Sequence, residues 1–137
     1  RRSSDLVGLF VPALAAAVQG KVISVDYSPA ATAAEQPCLA DCDVELKSAK
    51  VEQVAAQLPK PGAVVLDPPR TGAGKDVIRS VAAAAPQAVV HVGCDPATFA
   101  RDLHYWDEHG YGIEKMALIN AFPGTHHFET IALITPA

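Results

Sequence analysis

A cysteine and two carboxylates stand where a chain of alternating strands and helices would present them to a ligand. Cys94 follows the apolar run Ala88–Gly93 and precedes Asp95-Pro96, a pair that opens helices. A thiol at a helix N-terminus meets free backbone N–H groups and the positive end of the helix dipole, and both favour the nucleophilic thiolate. Arg101, farther along the same predicted helix, adds positive charge, and Gly93 lets the backbone approach a ligand closely. The same position also suits a small buried hydrophobe. Asp67 ends the apolar run Ala63-Val64-Val65-Leu66 and enters Pro68-Pro69-Arg70. Two prolines fix φ twice and remove two donors, giving a rigid turn that either aims Asp67 into a crevice or serves only as a turn. Glu129, within His126-His127-Phe128-Glu129-Thr130, has Phe128, Ile131 and Ala132 as neighbours. Desolvation there would raise its carboxyl toward use as a general base, the plain alternative being a solvated acid at a strand start.

These residues need elements to hold them. Lys21–Asp26, Ala63–Asp67 and Ala88–Gly93 are short, β-branched, nearly continuous apolar runs, the pattern of strands buried on both faces of a parallel sheet; Val44–Lys47 is a weaker alternating candidate. Helical segments fall between them at Leu9–Val18, Ala30–Gln36, Val51–Leu58, Lys75–Ala84 and Pro96–His109, with Val77, Ile78, Val81 and Ala82 on one face of the fourth. Strand–helix repeats of this spacing predict an α/β fold with a doubly wound, mostly parallel sheet. Ile113–Leu118 and Phe128–Ile134 are strands without a helix of normal length between them. They predict an antiparallel addition at the sheet edge, joined through the loop 120–125.

Ligands of such sheets bind beyond the carboxyl ends of the strands. Asp26 ends the run Lys21–Asp26 and is placed to accept hydrogen bonds from a ribose diol, a device shared by NAD- and S-adenosylmethionine-binding folds, or simply to terminate a strand. The G-x-G-x-x-G dinucleotide fingerprint is missing, since only Gly8 stands in the first turn. Gly72-Ala73-Gly74-Lys75 is no P-loop, because Pro69 occupies the first glycine position and Asp76 that of the Ser/Thr. Adjacent histidines such as His126 and His127 point to opposite sides of a strand, and Cys38 and Cys42 lack a partner pair, so no metal is expected.

Composition bounds the rest. The chain has 137 residues, 11 Lys+Arg against 15 Asp+Glu, and three cysteines, an odd number that suits a reducing compartment. A single acidic, soluble, cytoplasmic domain without a membrane span is expected, and its net charge of −4 opposes a conspicuous nucleic-acid grip.

Three linked motifs then carry a resemblance. Asp67-Pro68-Pro69-Arg70-Thr71-Gly72, Gly93-Cys94-Asp95-Pro96-Ala97-Thr98 with Ala100-Arg101-Asp102-Leu103, and Phe122-Pro123-Gly124-Thr125-His126-His127-Phe128-Glu129 resemble, in order and spacing, the RNA 5-methyluridine methyltransferase family. The resemblance covers nearly the whole chain. It implies the Rossmann-like fold of S-adenosylmethionine-dependent methyltransferases with an antiparallel C-terminal strand, residues 1–137 forming the catalytic domain at the C-terminal part of a longer protein.

By that resemblance, Cys94 matches the nucleophile that adds to uracil C6, and Glu129 the base that removes the C5 proton. Asp26, Asp67, Gly8 and Leu9 fall at positions that contact S-adenosylmethionine, and Pro68, Arg70, Arg101 and His127 on the substrate side. The implied partner is tRNA or rRNA, gripped mainly by segments outside these residues, with neither metal nor membrane involved. Two departures stand out. Asp5-Leu6 runs directly into Val7-Gly8-Leu9-Phe10, a shorter glycine loop than the family's, and Lys50 stands where the family often has an acid or amide against adenine. Two other readings remain open: amino-group methylation of adenine or cytosine, which uses a similar Asp-Pro-Pro motif, and a cofactor-binding segment without activity of its own.

Overall fold

The computed structural model describes residues 22–26, 44–57, 59–120, 123–124 and 128–137. The chain divides into two compact units, Arg1–Val54 and Ala55–Ala137. In the first unit, β1 (Val22–Asp26) pairs in parallel with β2 (Val44–Ser48), from Val22 opposite Val44 to Asp26 opposite Ser48. A short helix, α1 (Val51–Val54), follows. The predicted helices Leu9–Val18 and Ala30–Gln36 lie outside the described residues.

The second unit holds the sheet on which the chemistry-bearing residues sit. After a 3-10 turn (Ala55–Gln57) come β3 (Ala63–Leu66), α2 (Gly74–Ala83), β4 (Ala88–Gly93), α3 (Pro96–Glu108), β5 (Tyr111–Ile119) and β6 (Glu129–Pro136). The strands order as β3-β4-β6-β5, with β3 and β4 parallel and β6 antiparallel to both its neighbours. The last two strands thus form the expected antiparallel addition at the edge of the parallel pair, with β6 against β4 and β5 outermost. Composition explains the order: β6 carries Ile131-Ala132-Leu133-Ile134, with Ala132 and Ile134 fully buried, and so suits the interior. β5 takes the edge. There it carries Glu114 and Lys115 and an irregularity in register between Ile113 and Lys115, devices that discourage further strand pairing.

α3 begins where the sequence says it must. Pro96 stands in its first turn, and the Asp95 side chain accepts from Thr98 N–H at 2.9 Å. That bond holds the Asp95 carboxyl below its usual range. α3 buries Phe99, Asp102 and Trp106. Trp106 meets Tyr111 edge-on at 5.3 Å between ring centroids, and His91 of β4 meets Phe99 at 5.5 Å; such aromatic pairs contribute about 0.5–1.5 kcal/mol each beyond simple burial. The Trp106 indole N–H donates to His91 Nδ1 at 3.1 Å, and the Tyr111 hydroxyl donates to the Pro86 carbonyl at 2.9 Å. Because Nδ1 is the acceptor, the His91 proton resides on Nε2. Nε2 faces Asp102 Oδ2 at 3.5 Å, too long for a formed hydrogen bond, and has no other partner among the described residues.

Burial lowers the His91 pKa, and the Asp102 charge offsets only part of that effect. An unfolded histidine takes up its proton near pH ~6.5, whereas the folded one resists protonation until lower pH. Between those values the unfolded chain binds more protons. Stability is therefore fully present above about pH 6.5 and falls as pH drops through that region. Thermal midpoints measured from pH 7.5 to 5.5 should fall on acidification, and His91→Phe should flatten part of that slope; an identical slope in the variant would count against the assignment. At Gly93 an added Cβ would run into the Phe99 ring. Gly93→Ala should cost about 1–3 kcal/mol in urea denaturation, the usual penalty of overpacking.

Candidate active site

The strand directions bring three chain segments to one end of the second unit's sheet. β3 and β4 end there, at Asp67 and Cys94, and the antiparallel β6 begins there, at Glu129. Gly93 pairs with Thr130, so the next residues outward on the two strands, Cys94 and Glu129, follow each other across the same register. Leu66 pairs with His91, which brings Asp67 out of β3 on the same side. Residues from opposite ends of this unit therefore share one rim.

Their charges act on one another. The Asp67 carboxyl is raised above its ordinary range, first by desolvation and second by the Glu129 charge, although one flank of the residue remains open to solvent. The Cys94 thiol is also raised. Partial burial is the largest cause, followed by Glu129; Asp67 adds to the rise, while the hydrogen bond of its own backbone and the Arg70 guanidinium oppose it. The helix N-terminus expected to favour the thiolate is thus outweighed by two carboxylates and desolvation. Cys94 rests as a thiol, half-buried and free of any disulfide. Arg70 is exposed and acts on both Cys94 and Asp95.

The loop carrying Asp67, Pro68 and Arg70 is held by α3. Gly72 N–H donates to the Pro69 carbonyl at 2.8 Å, closing a turn in which Gly72 takes φ 79°. From α3, the Thr98 hydroxyl donates to the Arg70 carbonyl at 2.8 Å and Arg101 Nη2 donates to the Thr71 carbonyl at 2.8 Å. Asp102 accepts from Ala73 N–H at 2.6 Å and Gly74 N–H at 3.3 Å. The same Arg101 also donates to Asp102 Oδ1, through Nη2 at 2.8 Å, so part of its guanidinium is engaged inside the protein. Thr98, Arg101 and Asp102 were not all expected to act together. Their spacing of i, i+3 and i+4 puts three polar side chains on one helix face, and that was the available signal.

Of the remaining expected site residues, Gly8, Leu9 and His127 lie outside the described residues. Asp26 is the last residue of β1, and its side chain is likewise outside them. Among the described residues no group of three or more His, Cys, Asp or Glu is arranged to hold a metal ion. No helix among them is long and apolar enough to cross a membrane.

Known proteins place this rim in context. Residues 43–136 match the family model of tRNA (uracil-5-)-methyltransferase. An uncharacterized RNA methyltransferase of Corynebacterium glutamicum is 54% identical over 127 residues, covering 93% of this chain and 31% of that protein. One from Streptomyces coelicolor is 37% identical over 139 residues, covering 96% of this chain and 30% of its own length. The chain thus spans about a third of the length of these relatives. Among solved structures, the Pyrococcus abyssi tRNA (uracil-54, C5)-methyltransferase in complex with S-adenosyl-L-homocysteine superposes with a TM-score of 0.78 at 27% identity, over 96% of this chain and 33% of that one. A ribosomal protein L11 methylase from Lactobacillus delbrueckii subsp. bulgaricus gives 0.69 at 14% identity, covering 96% of this chain and 66% of that one, a likeness of fold alone. The second unit's mixed sheet with its antiparallel last strand is accordingly part of a methyltransferase α/β fold, and the chain belongs to the tRNA (uracil-5-)-methyltransferase family.

Proposed function

We propose that this chain is the catalytic portion of an S-adenosylmethionine-dependent RNA uracil-C5 methyltransferase that works through a covalent Cys94 adduct. The observation that carries this reading is the β4–β6 register, which sets Cys94 beside Glu129 on a rim whose charges also couple Asp67 and Arg70. Residues 1–137 are read as one catalytic domain of a longer cytoplasmic protein, with tRNA or rRNA as substrate.

Uracil C5 is a poor nucleophile. Addition of the Cys94 Sγ to C6 pushes electron density through the ring and makes an enolate with nucleophilic C5, splitting one difficult step into two. The raised thiol must lose its proton for this attack, and the rim carboxylates are the acceptors at hand. Bound S-adenosylmethionine would supply an electrophilic methyl group. The residues present suit such a ligand, because Asp67 is partly desolvated and feels the Glu129 charge, and a sulfonium and an ammonium group would offset this excess of negative charge. Asp67 takes the cofactor side, together with Asp26, Gly8 and Leu9 by family position. Pro68 and Arg70 border the substrate side, with Arg101 and His127. Once C5 carries the new methyl group, Glu129 accepts the C5 proton. The C5–H electron pair then re-forms the C5–C6 double bond, the C6–S bond breaks, and Cys94 leaves as thiolate. Because the reacting atoms belong to a base, the uridine must be unstacked to reach the rim.

The raised thiol gives a direct check. Alkylation of Cys94 by iodoacetamide, followed by peptide mass spectrometry, should reach half its maximal rate at a pH above that of a free cysteine. Glu129→Gln, which removes the second-largest cause of the rise, should shift that midpoint down; an unmoved or raised midpoint would refute the coupling.

The reaction itself is tested with RNA containing 5-fluorouridine and S-adenosylmethionine. Fluorine at C5 cannot be removed as a proton, so a covalent complex should accumulate and map to the peptide containing Cys94. Cys94→Ala should abolish that complex and reduce methyl transfer to natural RNA by on the order of 10³-fold or more. Full methyl transfer by the variant would favour amino-group methylation instead.

A further inference from the structure

We propose that Asp102 is a positioning residue, whose buried carboxylate caps helix α2 from a distance and locks the 67–74 loop onto α3, thereby fixing Asp67 and Arg70 relative to Cys94. The catalytic consequence rests on the function proposed above; the lock itself does not.

Helix α2 has no cap of its own. Its N-cap residue is Ala73, which has no side chain able to accept a hydrogen bond, and its first residue, Gly74, sits at φ 81°. The Ala73 and Gly74 N–H groups instead donate to Asp102, 2.6 and 3.3 Å away. Asp102 has 0% of its surface exposed and belongs to α3, whose N-cap Asp95 directly follows Cys94. One short helix segment therefore ties the loop to the nucleophile. Thr98 and Arg101 of the same face hold the Arg70 and Thr71 carbonyls. Gly72 permits the close approach. A Cβ there would lie 2.5 Å from Arg101 Nη2 and 2.6 Å from Asp102 Oδ2, so any larger residue would push the loop off the helix.

A carboxylate is required because it only accepts. Among the described residues, the polar groups facing Asp102 are donors: two amides, the Arg101 guanidinium and, from β4, His91 Nε2–H at 3.5 Å. An asparagine of the same shape would turn an N–H₂ toward one of them whichever way it pointed.

Hydrogen exchange on the unaltered chain tests the lock without a variant. Amides at a helix N-terminus ordinarily exchange fast, and that of the N-cap residue Ala73 should instead be protected by about a hundredfold or more; exchange at the unprotected rate would overturn the proposal. Asp102→Asn should abolish that protection while α3 amides stay slow. In the same variant, the rate of 5-fluorouridine adduct formation per titratable site, at saturating RNA and S-adenosylmethionine, should fall by about tenfold or more, because small misplacements of reacting groups carry large rate penalties. KM for RNA and the final adduct stoichiometry should stay within about twofold of the parent values, since a purely structural defect would lower the number of active sites and not the rate of each. An unchanged rate per site would reject the positioning role. If the unaltered chain forms no adduct, the proposed function falls, and the exchange of Ala73 still decides whether the lock exists.

Discussion

Taking a carboxylate out of water costs several kcal/mol unless its lone pairs are filled, and breaking a buried ionic contact from one side typically costs about 3–5 kcal/mol. Asp102 is buried completely, and its lone pairs are filled from two elements at once: the backbone at the start of α2 and the Arg101 side chain on α3. His91 of β4 brings its remaining N–H to within 3.5 Å of the same group. No partner can move far without exposing the charge to an apolar surround. The loop after β3 is therefore not free to choose its path. Its two prolines stiffen it locally, but the side chain on another helix sets its destination.

With the loop held, the sheet does the rest of the placing. Parallel pairing of β3 with β4 sends both carboxyl ends to one rim, and the antiparallel β6 returns its amino end to the same place. A one-residue slip of β6 would turn Glu129 to the other face. That slip is resisted because Ala132 and Ile134 would leave the core. The general base proposed for the reaction is thus kept in register by apolar residues that never touch a substrate.

What could be read in advance was local. Asp95-Pro96 announces a helix by two adjacent residues, and the capping bond from Thr98 N–H follows. The runs Ala63–Leu66 and Ala88–Gly93 announce buried strands by composition alone. Strand order is different in kind. Within 111–136, the apolar run Ile131–Ile134 and the charges Glu114 and Lys115 favour β6 over β5 for the interior, but that comparison acquires meaning only against Val89 and Val92 of β4, a strand outside this segment. The cap on α2 was equally hidden, its donor at Ala73 and its acceptor at Asp102 lying 29 positions apart. The protonation state of Cys94 is hidden for the same reason: the dipole at its own helix is visible in sequence, while the burial that raises the thiol most, and the Glu129 charge that adds to it, come from packing against distant parts of the chain. Glycine 72 shows the converse, a residue whose need for φ 79° is local but whose intolerance of a Cβ comes wholly from α3.

The acidity of the chain takes its meaning from this rim. Eleven basic residues against fifteen acidic ones leave the chain with a net charge of −4, the opposite of the excess that favours a phosphate backbone. At the rim the carboxylates Asp67 and Glu129 raise the Cys94 thiol and would repel phosphates; the proposed reaction gives Glu129 a proton to take and Asp67 a cationic ligand to face. Among the described residues, Arg70 is the one charge acting on Cys94 with the opposite sign. On the proposed reading, then, chemistry and grip have conflicting electrostatic needs, and a single small acidic unit serves the first at the expense of the second. The relatives that this chain matches over 31% of their length have room elsewhere for the basic surface that RNA demands. Separation of the two tasks into different segments would let a partly desolvated, negatively charged rim coexist with affinity for a polyanion.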